Sequence, residues 1–271
     1  MSSHEALTDA EKEHFDSEGY LVRRGVLSQE QVQPARESLV DFLGQKPRNP
    51  ARRLDIERSD GSRFVWMSDL HSTRPALQEL LYAPSLTRTA AALLDDTRSV
   101  RLAQDTAFFK EAGRGGAVGW HQDGSYWQHA QPLQMVSAWV ALTESTIETG
   151  CLTVIPQSHQ WGLQPSTVLD AFSADAEAFL KSKALADRID TAQRVPLELA
   201  PGDVSFHHGL TIHGSGENRS AQDRLGYVIL YLPEEAHYRA AEARFWQRSP
   251  QLVDGQPFQG PQHPLLWQRK A

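Results

Sequence analysis

The sequence predicts a mainly β chain: an antiparallel barrel or jelly roll fronted by helices. Three observations carry this. Hydrophobic spacing is helical in the first part of the chain and becomes a two-residue alternation after residue 98. Several strand-like runs follow, cut by the turn clusters Glu148-Thr149-Gly150, Pro201-Gly202-Asp203 and Gly214-Ser215-Gly216-Glu217-Asn218. The helical patterns stand mainly ahead of the strands, which suits an antiparallel architecture.

Thr8 followed by Glu11 is a capping-box signal and predicts a helix over 9–18, ended by Gly19. Residues 20–24 (YLVRR) read as a short strand. Ser28 with Gln31 repeats the capping signal, and Val32, Ala35, Leu39, Phe42 and Leu43 keep helical spacing, with Pro34 near the first turns. Residues 45–53 read as a loop, and 75–95 as two helices divided near Pro84. From 100 onward Val100, Leu102, Gln104, Thr106, Phe108 and Lys110 alternate with Arg101, Ala103, Asp105, Ala107, Phe109 and Glu111. Strands are expected at 135–143, 151–156, 195–199, 203–208 and 224–232, with a helical insertion at 165–192. The expected organisation is one domain over 1–271: N-terminal helices to 97, a jelly-roll core over about 98–233 and a tail over 234–271.

Composition narrows the function classes. With 271 residues, 40% hydrophobic and 23% charged, the chain has an ordinary soluble balance. A formal net charge of -7 disfavours a general nucleic-acid binder. A single cysteine, Cys151, allows no internal disulfide and suits a reducing cytoplasm. It reads as a small buried hydrophobe. The polar N-terminus has no apolar signal core, and no apolar run is long enough to span a bilayer. The expectation is a cytoplasmic protein acting on a small molecule, with neither nucleic acid nor membrane as partner; composition leaves its oligomeric state open.

The chemistry is concentrated at 120–127, WHQDGSYW. Its His-x-Asp pattern also occurs at His14-Phe15-Asp16, which serves as a control. His14 and Asp16 fall in a predicted helix, where residues two apart point to nearly opposite sides and cannot chelate one ion. His121 and Asp123 fall where a strand meets a loop, and in extended chain residues two apart share a face. A third ligand has candidates in His207, His208 and His213. His213 ends an apolar run before a glycine-rich turn and is the best placed; His207 and His208 read as supporting residues. Two histidines and a carboxylate on one face of a metal, with the other face open, is the arrangement of non-haem iron(II) oxygenases. Arg224, eleven residues after His213 and across the turn, suits a two-point grip on a carboxylate such as the distal one of 2-oxoglutarate.

With these residues in place, the chain resembles the phytanoyl-CoA dioxygenase (PhyH) family of Fe(II)/2-oxoglutarate-dependent oxygenases, built on a double-stranded β-helix (jelly roll). The likeness runs from HFDSEGYLVRRGVLSQEQV at the front to about residue 233, and includes TGCLTVIPQSH (149–159) and APGDVSFHHGLTIHGSGENRS (200–220). The family usually has glycine where this chain has Gln157. The resemblance implies iron(II) held by His121, Asp123 and His213, with 2-oxoglutarate and O2 as cosubstrates. It also implies that Arg224, Ser215, Gln104 and Trp139 contact 2-oxoglutarate. Trp127 matches a position that faces the substrate in some members. Halogenating relatives have a small residue in place of the aspartate; the presence of Asp123 favours hydroxylation, beside desaturation or ring chemistry. The extended motif of an ectoine hydroxylase is missing after His-x-Asp, and an acyl-CoA substrate has only the family name behind it.

Other features read more plainly. Arg48, Arg52, Arg53, Arg58 and Arg63 form a basic stretch offset by Asp55, Glu57 and Asp60. It is a solvated loop, or else the source of a clamp for an anionic substrate group, with Arg63 the candidate. Trp66, Met67 and His71 follow as a pocket wall, and His159 as a loop residue. Tyr238, Phe245, Trp246 and Trp267 make the tail a cover or an oligomer contact. Two further functions stay open at this stage: a cupin-like metal-binding protein without turnover, and a zinc hydrolase using the same triad.

Overall fold

The computed structural model describes residues 6–45, 53–58, 60–166, 170–244, 247 and 251–270. Arg48, Arg52, Phe245 and Trp246 lie outside the described residues. In α1 (Asp9–Glu18) the capping box is formed, with Glu11 N–H donating to Thr8 Oγ1 at 3.2 Å and Thr8 N–H to Glu11 Oε2 at 2.8 Å. After β1 (Tyr20–Arg23), α2 (Gln29–Gly44) continues through Pro34. The proline forfeits one helix bond, which burial of Val32, Ala35 and Leu39 offsets. β2 (Arg53–Glu57) and β3 (Arg63–Ser68) form a hairpin before α3 (Pro75–Leu81) and α4 (Pro84–Leu93). β2 alternates Leu54 and Ile56 with the charged Arg53, Asp55 and Glu57 over only five residues, a short and charged strand that befits a sheet edge.

The rest is β4 (Ser99–Lys110), β5 (Val118–His121), β6 (Ala130–Gln131), β7 (Val136–Ala141), β8 (Leu152–Val154), α5 (Ala186–Ile189), β9 (Val195–Leu197), β10 (Val204–His208), β11 (His213–Ser215), β12 (Arg224–Pro233), β13 (His237–Tyr238) and β14 (Leu265–Gln268). The major sheet runs β1-β10-β7-β12-β4-β3-β2, with β14 beside the first part of β4. The minor sheet runs β5-β11-β8-β9. Neighbouring strands are antiparallel, and the expected mainly β jelly-roll class is the observed one.

Each face of the major sheet has its own core. On the outer face Leu225, Tyr227, Ile229 and Tyr231 of β12 pack with Leu39 of α2, Leu77 and Leu80 of α3 and Leu86 of α4. On the inner face Trp139, Val228 and Leu230 pack with Leu152, Val154 and Leu197 of the minor sheet. The alternation expected along β4 is broken once. Tyr231 pairs Leu102 but Leu230 pairs Gln104, so Ala103 is the extra residue of a β-bulge. Val100 and Leu102 face the helices, whereas Phe108 and Lys110 face inward.

The insertion at 165–192 is less helical than expected. Its described part has turn bonds of the i→i+3 kind, such as Ala178 N–H to Asp175 and Leu185 N–H to Ser182, and a single four-residue α5. What orders it is Trp120, whose indole N–H donates to Glu177 at 2.9 Å and whose ring is buried beside Phe179, Leu180 and Leu185. Among the described residues no helix is long and apolar enough to cross a membrane.

Candidate metal centre

His121 is the last residue of β5, and His213, the first of β11, pairs with it directly across the minor sheet. Their ring centroids are 4.2 Å apart. Asp123 follows in a 3-10 turn over Asp123–Tyr126. The intervening Gln122 points the other way and is fully buried. Its amide donates to the carbonyls of Gly162 and Leu210 at 3.0 and 2.7 Å and accepts from Gln164 N–H at 2.8 Å. That residue pins the turn so that Asp123 swings back toward the two imidazoles.

The donor chemistry fits a divalent metal. Nδ1–H of His121 donates to Gly119 O at 2.7 Å and that of His213 to Thr211 O at 2.9 Å. Both rings therefore offer an unprotonated Nε2. These lie 3.6 and 3.7 Å from Asp123 Oδ1. One ligand atom from each of the three residues falls within 4.8 Å of the others, the one such group of His, Cys, Asp or Glu found among the described residues. Burial holds His213 well below the usual imidazole range, helped by His121 and His207 nearby. Burial would raise Asp123, but the His213 and His121 imidazoles beside it and the bond from His207 hold it well below the usual carboxylate range. Neutral imidazoles and an ionised carboxylate are the forms that ligate a metal. The control pair is elsewhere: His14 packs against Tyr20, and Asp16 O accepts from His159 Nε2 at 3.0 Å.

A second buried polar group lies on the facing inner side of the major sheet. Arg224 and Lys110 pair directly across β12 and β4, and they are 1% and 0% exposed. Like charges placed opposite one another repel, and within the described residues no carboxylate forms an ion pair with either. Lys110 Nζ donates to Ser215 Oγ at 2.7 Å and to Gly216 O. Arg224 donates to Gly150 O at 2.5 Å, while its buried Nε has no partner. Burial pushes Arg224 down to about 10, and burial together with Arg224 pulls Lys110 well below the usual lysine range. Such a pair is stabilised by an anion. Its donors fit a carboxylate, so the residues suit 2-oxoglutarate as well as the metal.

Trp139 forms the floor between the two groups, its ring 5.1 Å from the Arg224 guanidinium. It lies flat across Gly226, where an added Cβ would come within 2.2 Å of the ring. Gly150, at φ 76°, turns the chain so that its carbonyl reaches Arg224. Gln104 is on the inner face of β4, opposite Leu230.

The residues named for substrate contact separate. Trp127 is packed against His129, at 4.9 Å between centroids, and against Phe258 of the tail. Tyr126 is the aromatic residue beside His121, at 5.8 Å. Trp66 lines an aromatic wall with Phe64, Phe108 and Phe172, the last contributed by the insertion. Arg63 is 3.6 Å from carboxylates of both Asp55 and Glu111, so its charge is already matched. In the tail, Tyr238 packs on His129 and Phe258, and Trp267 on the helix-side core. His208 accepts from Leu210 N–H. Gln157, at the family's glycine position, adopts the left-handed conformation at φ 64° and donates from its backbone to Glu18 O.

Sequence reasoning missed Lys110, Ser137 and the role of His207. Lys110 had a signal: it is six residues from Gln104 in the two-residue alternation, hence on the same face. Ser137 had none, because it converges with Asp123 only through the packing of the two sheets.

Comparison with known proteins adds a family. The family model described as Phytanoyl-CoA dioxygenase (PhyH) matches residues 15–226. A relative named "Probable phytanoyl-CoA dioxygenase" from Caenorhabditis elegans is 25% identical over 226 residues, 79% of this chain and 72% of that one. Among solved structures, the epimerase SnoN in complex with Fe3+, alpha ketoglutarate and nogalamycin RO superposes with a TM-score of 0.77. It covers 96% of this chain and 98% of its own at 22% identity. EctD from S. alaskensis in its apoform gives 0.72, covering 94% and 91% at 19% identity. At these identities the likeness to solved structures concerns the fold.

Proposed function

The chain belongs to the phytanoyl-CoA dioxygenase family of Fe(II)- and 2-oxoglutarate-dependent oxygenases, and from that premise we propose that it hydroxylates an aliphatic carbon of a small anionic metabolite. In this reading His121, Asp123 and His213 hold the iron, and Arg224, Lys110 and Ser215 receive the distal carboxylate of 2-oxoglutarate. Trp139 and Gln104 flank the cosubstrate between the two ends. The observation that carries the reading is the unmatched cation pair on the inner face of the major sheet, the face that packs against the minor sheet bearing the triad. A plain metal-binding protein, or a zinc hydrolase, has no use for a buried carboxylate clamp.

Bound iron with 2-oxoglutarate would let O2 act as the oxidant, one oxygen atom entering succinate as 2-oxoglutarate loses carbon dioxide and the other entering an unactivated carbon as hydroxyl. The chain's own residues do the rest. The triad would hold the metal from the side of the minor sheet. Arg224 and Lys110 set the cosubstrate's direction, and the Trp139 ring keeps water from its methylene chain. The wall of Phe64, Trp66, Phe172 and Tyr126 suits an apolar substrate body beside His121. Arg58 stands 5.7 Å over the Phe64 ring with a buried Nε that has no partner. This supports Arg58, rather than Arg63, as the group that meets the substrate's charge.

The test is anaerobic titration with iron(II) and then 2-oxoglutarate, followed by absorption in the visible. The expected result is a weak charge-transfer band that disappears when oxygen is admitted, and its loss in Asp123→Ala. Metal binding with no band for 2-oxoglutarate would transfer the assignment to a binding protein, and turnover with zinc but without oxygen to a hydrolase.

A further inference from the structure

The two oxygens of Asp123 have different surroundings. Oδ1 faces both Nε2 atoms of the triad, at 3.6 and 3.7 Å. Oδ2 turns away and accepts two bonds, from Ser137 Oγ at 2.5 Å and from His207 Nε2 at 3.1 Å. Ser137 and His207 are direct partners across β7 and β10 of the major sheet, and they are 0% and 1% exposed. Asp123 itself hangs from the minor sheet. The clamp therefore joins a side chain of one sheet to a built pair of donors on the other.

His207 differs from the two ligand histidines. Each of those has its ring oriented by a bond from Nδ1 to a backbone carbonyl two residues earlier. In His207 the Nδ1 is buried without a partner, so the bond to Asp123 is what orients its ring. A buried ring that leaves one nitrogen unsatisfied in order to donate from the other is arranged around that donation.

We propose that Ser137 and His207 are positioning residues that hold Asp123 to a single ligating oxygen. Resting on the iron-binding reading of His121, Asp123 and His213, the reason is a count of positions. Six-coordinate iron(II) with three protein ligands has three positions left, two for a chelating cosubstrate and one for dioxygen. A carboxylate free to rotate would chelate with both oxygens and occupy one of them. Rotation here requires breaking both bonds to Oδ2. The clamp thus fixes the direction of the ligand and keeps the third position available.

The experiment measures iron(II) affinity anaerobically by chelator competition, and the ligand-field spectrum with cobalt(II), for the wild type, Ser137→Ala, His207→Phe and His207→Gln. Thermal melting of each apo-protein checks folding. Loss of such supporting bonds typically weakens metal binding by about 10- to 100-fold. The expected result is a loss in that range for Ser137→Ala and His207→Phe with a weakened, shifted cobalt spectrum. His207→Gln, which retains an N–H donor at the same reach, should recover to within about threefold of the wild type, taking a tenfold step as 1.4 kcal/mol. Folded variants that bind iron(II) within about threefold of the wild type, or a His207→Gln as weak as His207→Phe, overturn the proposal. Should His207→Phe not fold, Ser137→Ala decides alone, since it removes one oxygen and no volume the strand needs. Failure of the wild type to bind iron(II) is a separate outcome, which removes the metal-site reading itself.

Discussion

Two buried polar clusters hang on the same pair of strands, β4 and β12, and they are built oppositely. On the outer face Asp105 accepts from His71 N–H at 2.9 Å and from Tyr227 Oη–H at 2.9 Å, and lies 2.7 Å from His71 Nδ1. Every oxygen is matched from within, and the cluster is closed. Five residues further along β4, on the inner face, Lys110 and Arg224 stand opposite one another with no carboxylate between them. A buried charge matched by the chain belongs to the fold, because removing one partner strands the other. A buried charge left unmatched is retained at the expense of stability, and that expense is recovered when a ligand supplies the counter-charge. By this criterion the Asp105 cluster belongs to the fold, and the Lys110–Arg224 pair has the unmatched charge expected where a ligand binds.

The largest effect that can break this contrast is Asp105→Ala. It leaves His71 and the Tyr227 hydroxyl stranded, so unfolding free energy should fall by about 3 kcal/mol, with the 2-oxoglutarate requirement little changed; denaturant melts and steady-state kinetics read the two. Arg224→Ala should do the reverse. Losing two charge-assisted bonds, about 3 kcal/mol, raises the half-saturating 2-oxoglutarate concentration by about 100-fold while the apo-protein melts no earlier than the wild type. Lys110→Met is the sharper version, removing the charge and keeping the bulk. An increase of about tenfold in that concentration with unchanged or higher apo stability is expected, and a large loss of stability would make Lys110 a structural residue.

Gly226→Ala probes the floor between the clusters. Its Cβ has no room beneath Trp139, so the ring must move at a cost of about 1–3 kcal/mol, seen as lower stability together with weaker 2-oxoglutarate binding. The smallest effect is on pH dependence. Burial opposes protonation of His71, but the bond to Asp105 outweighs it and raises His71 above the usual imidazole value. The folded state thus holds that proton more tightly than the unfolded chain. The stabilisation is fully present below the unfolded value of about 6.5 and is lost as pH rises through the folded one. The melting temperatures of wild type and His71→Gln should converge as pH rises over that interval; a gap constant with pH would show that the imidazole does not titrate there.

What short stretches can express was legible in the amino-acid sequence. The α1 capping box, the helix pattern of α2, the apolar strand runs of β7, β10 and β12, and the His121-Gln122-Asp123 pair at a strand end are each readable within about a dozen residues, since local pattern and spacing set the element and which side chains share a face. The distinction from His14-Phe15-Asp16 is of that kind. Charge patterns hid others: β2 alternates charged residues at a sheet edge, and the bulge at Ala103 shifts the face of β4 with no mark in composition. Three-dimensional packing, by contrast, set Lys110 opposite Arg224, ion-paired Arg63 with Asp55 and Glu111 while Arg58 has no carboxylate partner among the described residues, and brought Ser137 and His207 to Asp123. Those contacts join residues of different strands or different sheets, and strand register and sheet packing, which no single segment encodes, set whether a buried polar atom finds its partner in the chain or must take it from a ligand.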